Sequence, residues 1–161
     1  MKITAVIPAR YQSSRFPGKP LAEIAGKPMI TRVYERVKKV DSLDEVIVAT
    51  DDKRIFETIK ESGGKAWMTS ADHGSGTDRI AEVAEKLDCD IVVNVQGDEP
   101  LIKEEMIEKA ISPFYEEEDL KMSTLKKKIE DKSEIENPNV VKVVTDKEDN
   151  ALYFSRSSLP Y

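Results

Sequence analysis

The chain has 161 residues, 39% of them hydrophobic, with a net charge of −6, one histidine and one cysteine. That length supports one sizeable core. No apolar run approaches the ~20 residues a membrane span needs, the single Cys89 excludes an internal disulfide and a cysteine-based zinc cluster, and the acidic balance argues against a general nucleic-acid surface. A lone thiol fits a reducing cytoplasm. Lys and Glu are abundant while the only glutamines are Gln12 and Gln96, a bias that resembles proteins from hot environments.

Residues 2–7 are β-rich and apolar (Ile3, Ala5, Val6, Ile7) and predict a buried first strand. The loop IPARYQSSRFPGKPL, from Ile7 to Leu21, follows it. Residues 1–28 hold Lys2, Arg10, Arg15, Lys19 and Lys27 against Glu23 alone, a local +4 in a chain of −6. A cationic, Gly/Pro-shaped loop after a first strand is where an α/β protein grips phosphate. Pro28 then suits the first turn of a helix, and Met29, Val33, Val37 and Val40 recur at helical spacing as its core face.

Residues 45–50 (EVIVAT) read as a buried strand. Asp51 and Asp52 can cap a helix over 53–62 with Ile55, Phe56 and Ile59 inward, and Gly63-Gly64 ends it. Residues 65–69 (KAWMT) make a third strand. The polar loop SADHGSGTD leads to a helix over 77–87, and 91–95 form a fourth strand that runs into QGDEP. The order βαβαβαβ implies a mostly parallel sheet covered on both faces. Sites in such sheets lie beyond the carboxyl ends of the strands, so loops 8–20, 70–76 and 96–100 should converge. A helix over 104–115 and an acidic turn follow. Residues 121–129, 140–146 and 151–154 are strand-like, and the lost alternation predicts some antiparallel pairing. The whole reads as one domain, expected to be the first part of a longer protein.

Neither GxxxxGK[ST] nor GxGxxG is present, so the grip on phosphate falls to backbone N–H groups with Arg10, Arg15 and Lys19. Arg offers a planar fork and Lys a point charge. Asp98, just past a strand, suits Mg²⁺, which binds through one or two carboxylates, waters and substrate phosphates. Glu99 competes for that role, and an Asp in this position can equally cap a helix or close a turn. Gln96 can read hydroxyls in the same pocket. His73 is more readily a hydrogen-bonded structural residue than a base. Ser75, Gly76 and Thr77 can meet a base edge, or Ser75 or Thr77 can cap the helix. Arg79 either anchors substrate or pairs with Asp78 or Glu82.

The segments IPARYQSSRFPGKPL, VIVATDD, MTSADHGSGTDR, IVVNVQGDEPLI and NPNVVKVVTD…ALYFSRSSLP, in this order, closely resemble the 3-deoxy-manno-octulosonate cytidylyltransferase (CMP-Kdo synthetase) family. The resemblance implies a Rossmann-like three-layer α/β/α nucleotidyltransferase fold and a cytoplasmic homodimer, with no nucleic-acid or membrane partner. It also implies a Mg²⁺-dependent reaction of CTP with the acidic sugar Kdo. Carried onto this chain, Arg10, Arg15 and Lys19 would hold the triphosphate. Pro8, Ala9, His73, Ser75, Gly76 and Arg79 would hold cytosine and ribose. Gln96 would touch ribose or sugar, Asp98 would bind the metal, and Arg156 would meet the acidic sugar. Lys19, Arg10 and Asp98 would be catalytic. Family members are longer, and their C-terminal part should supply a second metal-binding aspartate. The alternatives are a cytidylyltransferase for another acidic sugar such as sialic acid, and a non-catalytic nucleotide-binding module or inactive fragment.

Overall fold

The computed structural model describes residues 1–12 and 16–159. The chain divides into two compact units, with the boundary between Ser123 and Thr124.

The first unit is built on a four-stranded parallel sheet. Its elements in order are β1 (Ile3–Ala9), a single 3₁₀ turn (Lys19–Leu21), β2 (Glu23–Ile24), β3 (Lys27–Pro28), α1 (Met29–Val37), β4 (Glu45–Thr50), α2 (Lys53–Glu61), β5 (Ala66–Met68), α3 (Gly76–Ala84), β6 (Ile91–Asn94), α4 (Glu104–Ile111) and α5 (Pro113–Glu116). The sheet order is β5-β4-β1-β6. β1 is central and buried along its whole length, which explains why its sequence is apolar at every position but Thr4: both faces must be covered.

Alternation along the strands divides the core into two layers. Ile3, Ala5, Ile7, Val46 and Val48 pack with Ile30 and Val33 of α1, Ile55 and Ile59 of α2, and Ile107 of α4. Val6, Ile47 and Ala49 point the other way, onto Ile80 and Val83 of α3. Strands added leftward from β1 therefore carry their crossovers on one face, while the step back across to β6 carries α3 on the other. This is what right-handed crossovers demand when the winding direction reverses. The reversal leaves a crevice between β1 and β6 at their carboxyl ends, the place where open α/β sheets hold ligands.

Several element boundaries differ from the sequence expectation. The helix expected over 104–115 breaks after Ile111, because Pro113 has no N–H to give the carbonyl of Lys109; the Ser112 hydroxyl donates to that carbonyl instead, at 3.3 Å. α3 starts at Gly76 rather than 77, since Ser75 caps it by accepting the Asp78 N–H while the Asp78 carboxylate accepts the Ser75 N–H. The β2–β3 ribbon is too short for periodicity to reveal.

The second unit pairs β7 (Lys142–Thr145) with β8 (Ala151–Ser155) in antiparallel register, after a one-turn helix α6 (Ser133–Glu136). The expected change to antiparallel pairing is thus observed. Residues 121–129 are not a strand. Their apolar members Met122, Leu125 and Ile129 do not alternate, and three successive lysines separate the last two. The Lys142 ammonium, 5% exposed, donates to the carbonyls of Asn137, Val140 and Arg156 at 2.9, 2.8 and 2.6 Å. It thereby closes the Asn-Pro-Asn turn onto the end of β8.

Candidate functional site

Pro8 lies just past the part of β1 that pairs with β6. In a parallel ladder, the bond after Val95 N–H to Val6 carbonyl (3.3 Å) would run from the N–H of residue 8 to Val95. Proline has no such hydrogen, and β6 pairs with β1 only as far as Asn94. Past this point the ladder between the two strands ends.

The first loop leaves this point and returns at Gly18, whose N–H donates to the Tyr11 carbonyl at 2.8 Å. Gly18 has φ of 74° and lies against the Tyr11 ring, where a Cβ would come within 3.0 Å. Glycine answers both requirements. Arg54 covers the Tyr11 ring, 3.3 Å from its centroid. Lys19 follows in the 3₁₀ turn and is aimed at Asp98, with Nζ to Oδ2 at 2.6 Å and both side chains about half exposed. Asp98 is brought there by Gly97. A Cβ on Gly97 would lie 2.8 Å from the Pro8 carbonyl oxygen and 3.2 Å from Ile30 Cδ1, so only glycine lets this loop cross so close to β1.

A third loop completes the site. His73 Nε2 lies 2.7 Å from Glu82 Oε2, and Glu82 also accepts the Ser70 N–H at 2.8 Å and Lys86 Nζ at 3.0 Å. These bonds, that of His73 first, lower the Glu82 carboxyl from 4.5 to about 2. The loop is so fastened to α3, and Gly76 at its end lies against Pro8 and Gln96.

Arg79, on α3, is 3% exposed. It does not pair with Asp78 or Glu82, the partners adjacent in sequence. Its Nη1 donates to Thr69 Oγ1 and, at 3.2 Å, to the Ser70 carbonyl, and its Nη2 lies 3.3 Å from Asp51 Oδ2. A buried guanidinium needs such a counter-charge. Asp51 was legible in sequence only as a possible helix cap; the cap itself is Asp52, accepting the Arg54 N–H.

The three loops enclose one open cavity of about 480 Å³. Pro8, Ala9, Arg10, Lys19, His73, Ser75, Gly76, Arg79, Gln96 and Asp98 line it, joined by Phe16, Pro20, Met29 and Gly97. Among the described residues Arg10 has no carboxylate partner, so its charge faces solvent. Arg15 lies outside the described residues. Arg156 belongs to the second unit, where Nη1 donates to the Pro138 carbonyl at 2.9 Å. Among the described residues no cluster of three or more His, Cys, Asp or Glu could hold a metal, and no helix is long and apolar enough to cross a membrane.

Helices on both faces of a parallel sheet, with a cationic, carboxylate-bearing crevice at its reversal point, give the frame of a nucleotide-binding α/β protein. Solved relatives bear this out. A CMP:2-keto-3-deoxy-manno-octonic acid synthetase complexed with CTP superposes with a TM-score of 0.91 at 46% identity, over all of this chain and 66% of that one. A cytidylyltransferase from Leptospira borgpetersenii gives 0.64 at 27% identity, over 74% and 51%. Residues 4–161 match the family described as Cytidylyltransferase, and the chain belongs to that family. The 3-deoxy-manno-octulosonate cytidylyltransferase of Geobacter metallireducens is 60% identical over 99% of this chain, which spans 63% of that protein. Its namesake in Fusobacterium nucleatum is 57% identical over 100% of this chain and 66% of its own length.

Proposed function

We propose that the full chain joins CTP to Kdo, releasing pyrophosphate and forming CMP-Kdo for lipopolysaccharide synthesis. The observation that carries this reading is the Lys19–Asp98 pair at 2.6 Å, in the same cavity as Arg10, which has no carboxylate partner among the described residues. Family membership and the names of the relatives support cytidine and Kdo as the two halves of the product.

The chemistry follows from charge placement. The anomeric hydroxyl of Kdo attacks the α-phosphorus in line and pyrophosphate leaves. Arg10 and Lys19 stabilise the negative charge that grows on the leaving group, and the hydrogen bond from the Gly18 N–H to the Tyr11 carbonyl ties their neighbouring residues together before substrate arrives. The wall formed by Ser75, Gly76 and Gln96 offers hydroxyl, backbone and amide groups to base and ribose. No serine or cysteine nucleophile is required, so transfer is direct.

The donor set fits Mg²⁺. Asp98 presents a half-exposed carboxylate that already carries a cation, the Lys19 ammonium, and an isolated carboxylate is how Mg²⁺ is commonly held when phosphates and waters supply the remaining ligands. Mg²⁺ bound there would lower the pKa of the attacking hydroxyl and neutralise phosphate charge. We also read the chain as a cytoplasmic homodimer. The exposed apolar side chains of β8, Leu152 at 65% and Tyr153 at 60%, support burial in an assembly.

Pyrophosphate release from CTP, measured with a panel of sugar acids, tests the substrate assignment. Kdo should be preferred, and turnover with sialic acid but not Kdo would overturn it. Asp98→Asn should keep its melting temperature, since half-exposed ion pairs contribute only ~0.2–1 kcal/mol. It should lose turnover on the order of 10²–10³-fold; near-normal turnover refutes the role given to Asp98.

A further inference from the structure

The pocket holds two arginines in opposite electrostatic states. Arg10 is exposed and has no carboxylate partner among the described residues. Arg79 is 3% exposed, and Asp51 lies 3.3 Å from its Nη2. Two elements fix that pairing. Asp51 directly follows β4, and Thr69 and Ser70, which take Nη1, directly follow β5. The Thr69 N–H donates to the Thr50 carbonyl at 2.9 Å, so the two strand ends are tied to each other beneath the guanidinium. One oxygen of Asp51, Oδ1, is buried and has no hydrogen-bond partner among the described residues. A carboxylate held with an unsatisfied oxygen is poor economy for stability alone.

We propose that Asp51 is a positioning and specificity residue: by cancelling the charge of Arg79 it makes that wall of the pocket a site for an uncharged part of the ligand. An arginine has five N–H groups in a fixed fork. Three contacts here take up part of the fork, and the remainder can donate to a carbonyl or hydroxyl at the cavity wall. Paired with Asp51, Arg79 contributes direction but little net field. An unpaired guanidinium in the same place would attract phosphate as strongly as Arg10 does, and a triphosphate could then seat across the wrong wall. Asp51 thus tells the two ends of a nucleotide apart without touching either. The inference rests on the reading of the cavity as a nucleotide site.

Binding to the full chain tests it, with CTP and inorganic tripolyphosphate as separate probes in calorimetry. Failure of the unaltered protein to bind CTP would defeat the nucleotide reading itself. Given that binding, Asp51→Asn should weaken CTP about tenfold while tripolyphosphate binds equally or more tightly. Asp51→Glu should recover most of the loss. In an Arg79→Met background, Asp51→Asn should change the CTP affinity less than twofold. A purely structural Asp51 would lower the melting temperature and leave both affinities of the folded protein unchanged. That outcome, or a parallel loss for both probes, overturns the proposal.

Discussion

Gly97→Ala probes whether the approach of the 96–98 loop to β1 sets the site. The new methyl would sit 2.8 Å from the Pro8 carbonyl oxygen, where ordinary contact begins at 3.4 Å, and 3.2 Å from Ile30 Cδ1. One side must yield by the difference, about 0.6 Å. Pro8 belongs to the strand that β4 holds in register through Pro8↔Ala49 and Ala9↔Thr50, so the loop gives way and carries Asp98 with it. Overpacking of this kind typically costs ~1–3 kcal/mol. A displacement of 1 Å at a reacting centre can cost ~10²-fold in rate, so a shift of about 0.6 Å should lower turnover on the order of tenfold. Urea denaturation gives the first quantity and pyrophosphate release by the full chain gives the second. Gly74→Ala is the control, since its nearest neighbour would be Asp78 Oδ2 at 3.8 Å; it should fall within about 0.5 kcal/mol of the parent. Parental stability and turnover in Gly97→Ala would refute the reasoning, because the contact that forces the loop to move would then be absent.

Two further expectations concern charge. Lys19→Met removes the ammonium that competes for Asp98. Because the pair is half exposed, the competition amounts to at most about 1 kcal/mol. Mn²⁺ binding without nucleotide should therefore tighten two- to fivefold even as turnover falls, and weaker Mn²⁺ binding, read by electron paramagnetic resonance, would contradict it. Glu82 titrates at about 2 in the folded protein and at 4.5 ordinarily, a lowered value, so its contribution to stability is complete above 4.5 and is lost as pH falls toward 2. Glu82→Gln should flatten the acid limb of a plot of urea midpoint against pH, and an unchanged limb would show that Glu82 does not fasten the 70–76 loop.

Local signals carried much of the fold. Apolar runs and helical spacing place β1, β4, α1 and α2, because each of these elements buries a face whose period is written in consecutive residues. They fail where structure depends on distant partners. Residues 121–129 have strand-like members but no strand to pair with, and whether a partner exists is not a local property. The candidate site shows the same division. Arg10, Lys19, His73, Ser75, Gln96 and Asp98 could be selected as chemistry-bearing residues in loops after strands, and the cavity gathers all six. Lys19 and Asp98 are 79 positions apart, and nothing short of the folded sheet says that they touch. Local sequence offers Arg79 either a substrate or carboxylates one and three residues away, whereas its counter-charge, Asp51, comes from another strand end, 28 positions earlier. Only the strand order β5-β4-β1-β6 brings that end within reach.

The proline at the end of β1 has one more implication. Hydrogen-bonded ladders propagate by adding one rung at a time, and nothing in two adjacent parallel strands tells them where to stop. Here the stopping rule is a missing atom. Without a hydrogen on the nitrogen of residue 8, the next rung toward Val95 cannot form. The ladder beneath this cavity therefore ends at an omission in the backbone, which costs the sheet one bond and leaves the carboxyl end of β6 to the loop that carries Asp98.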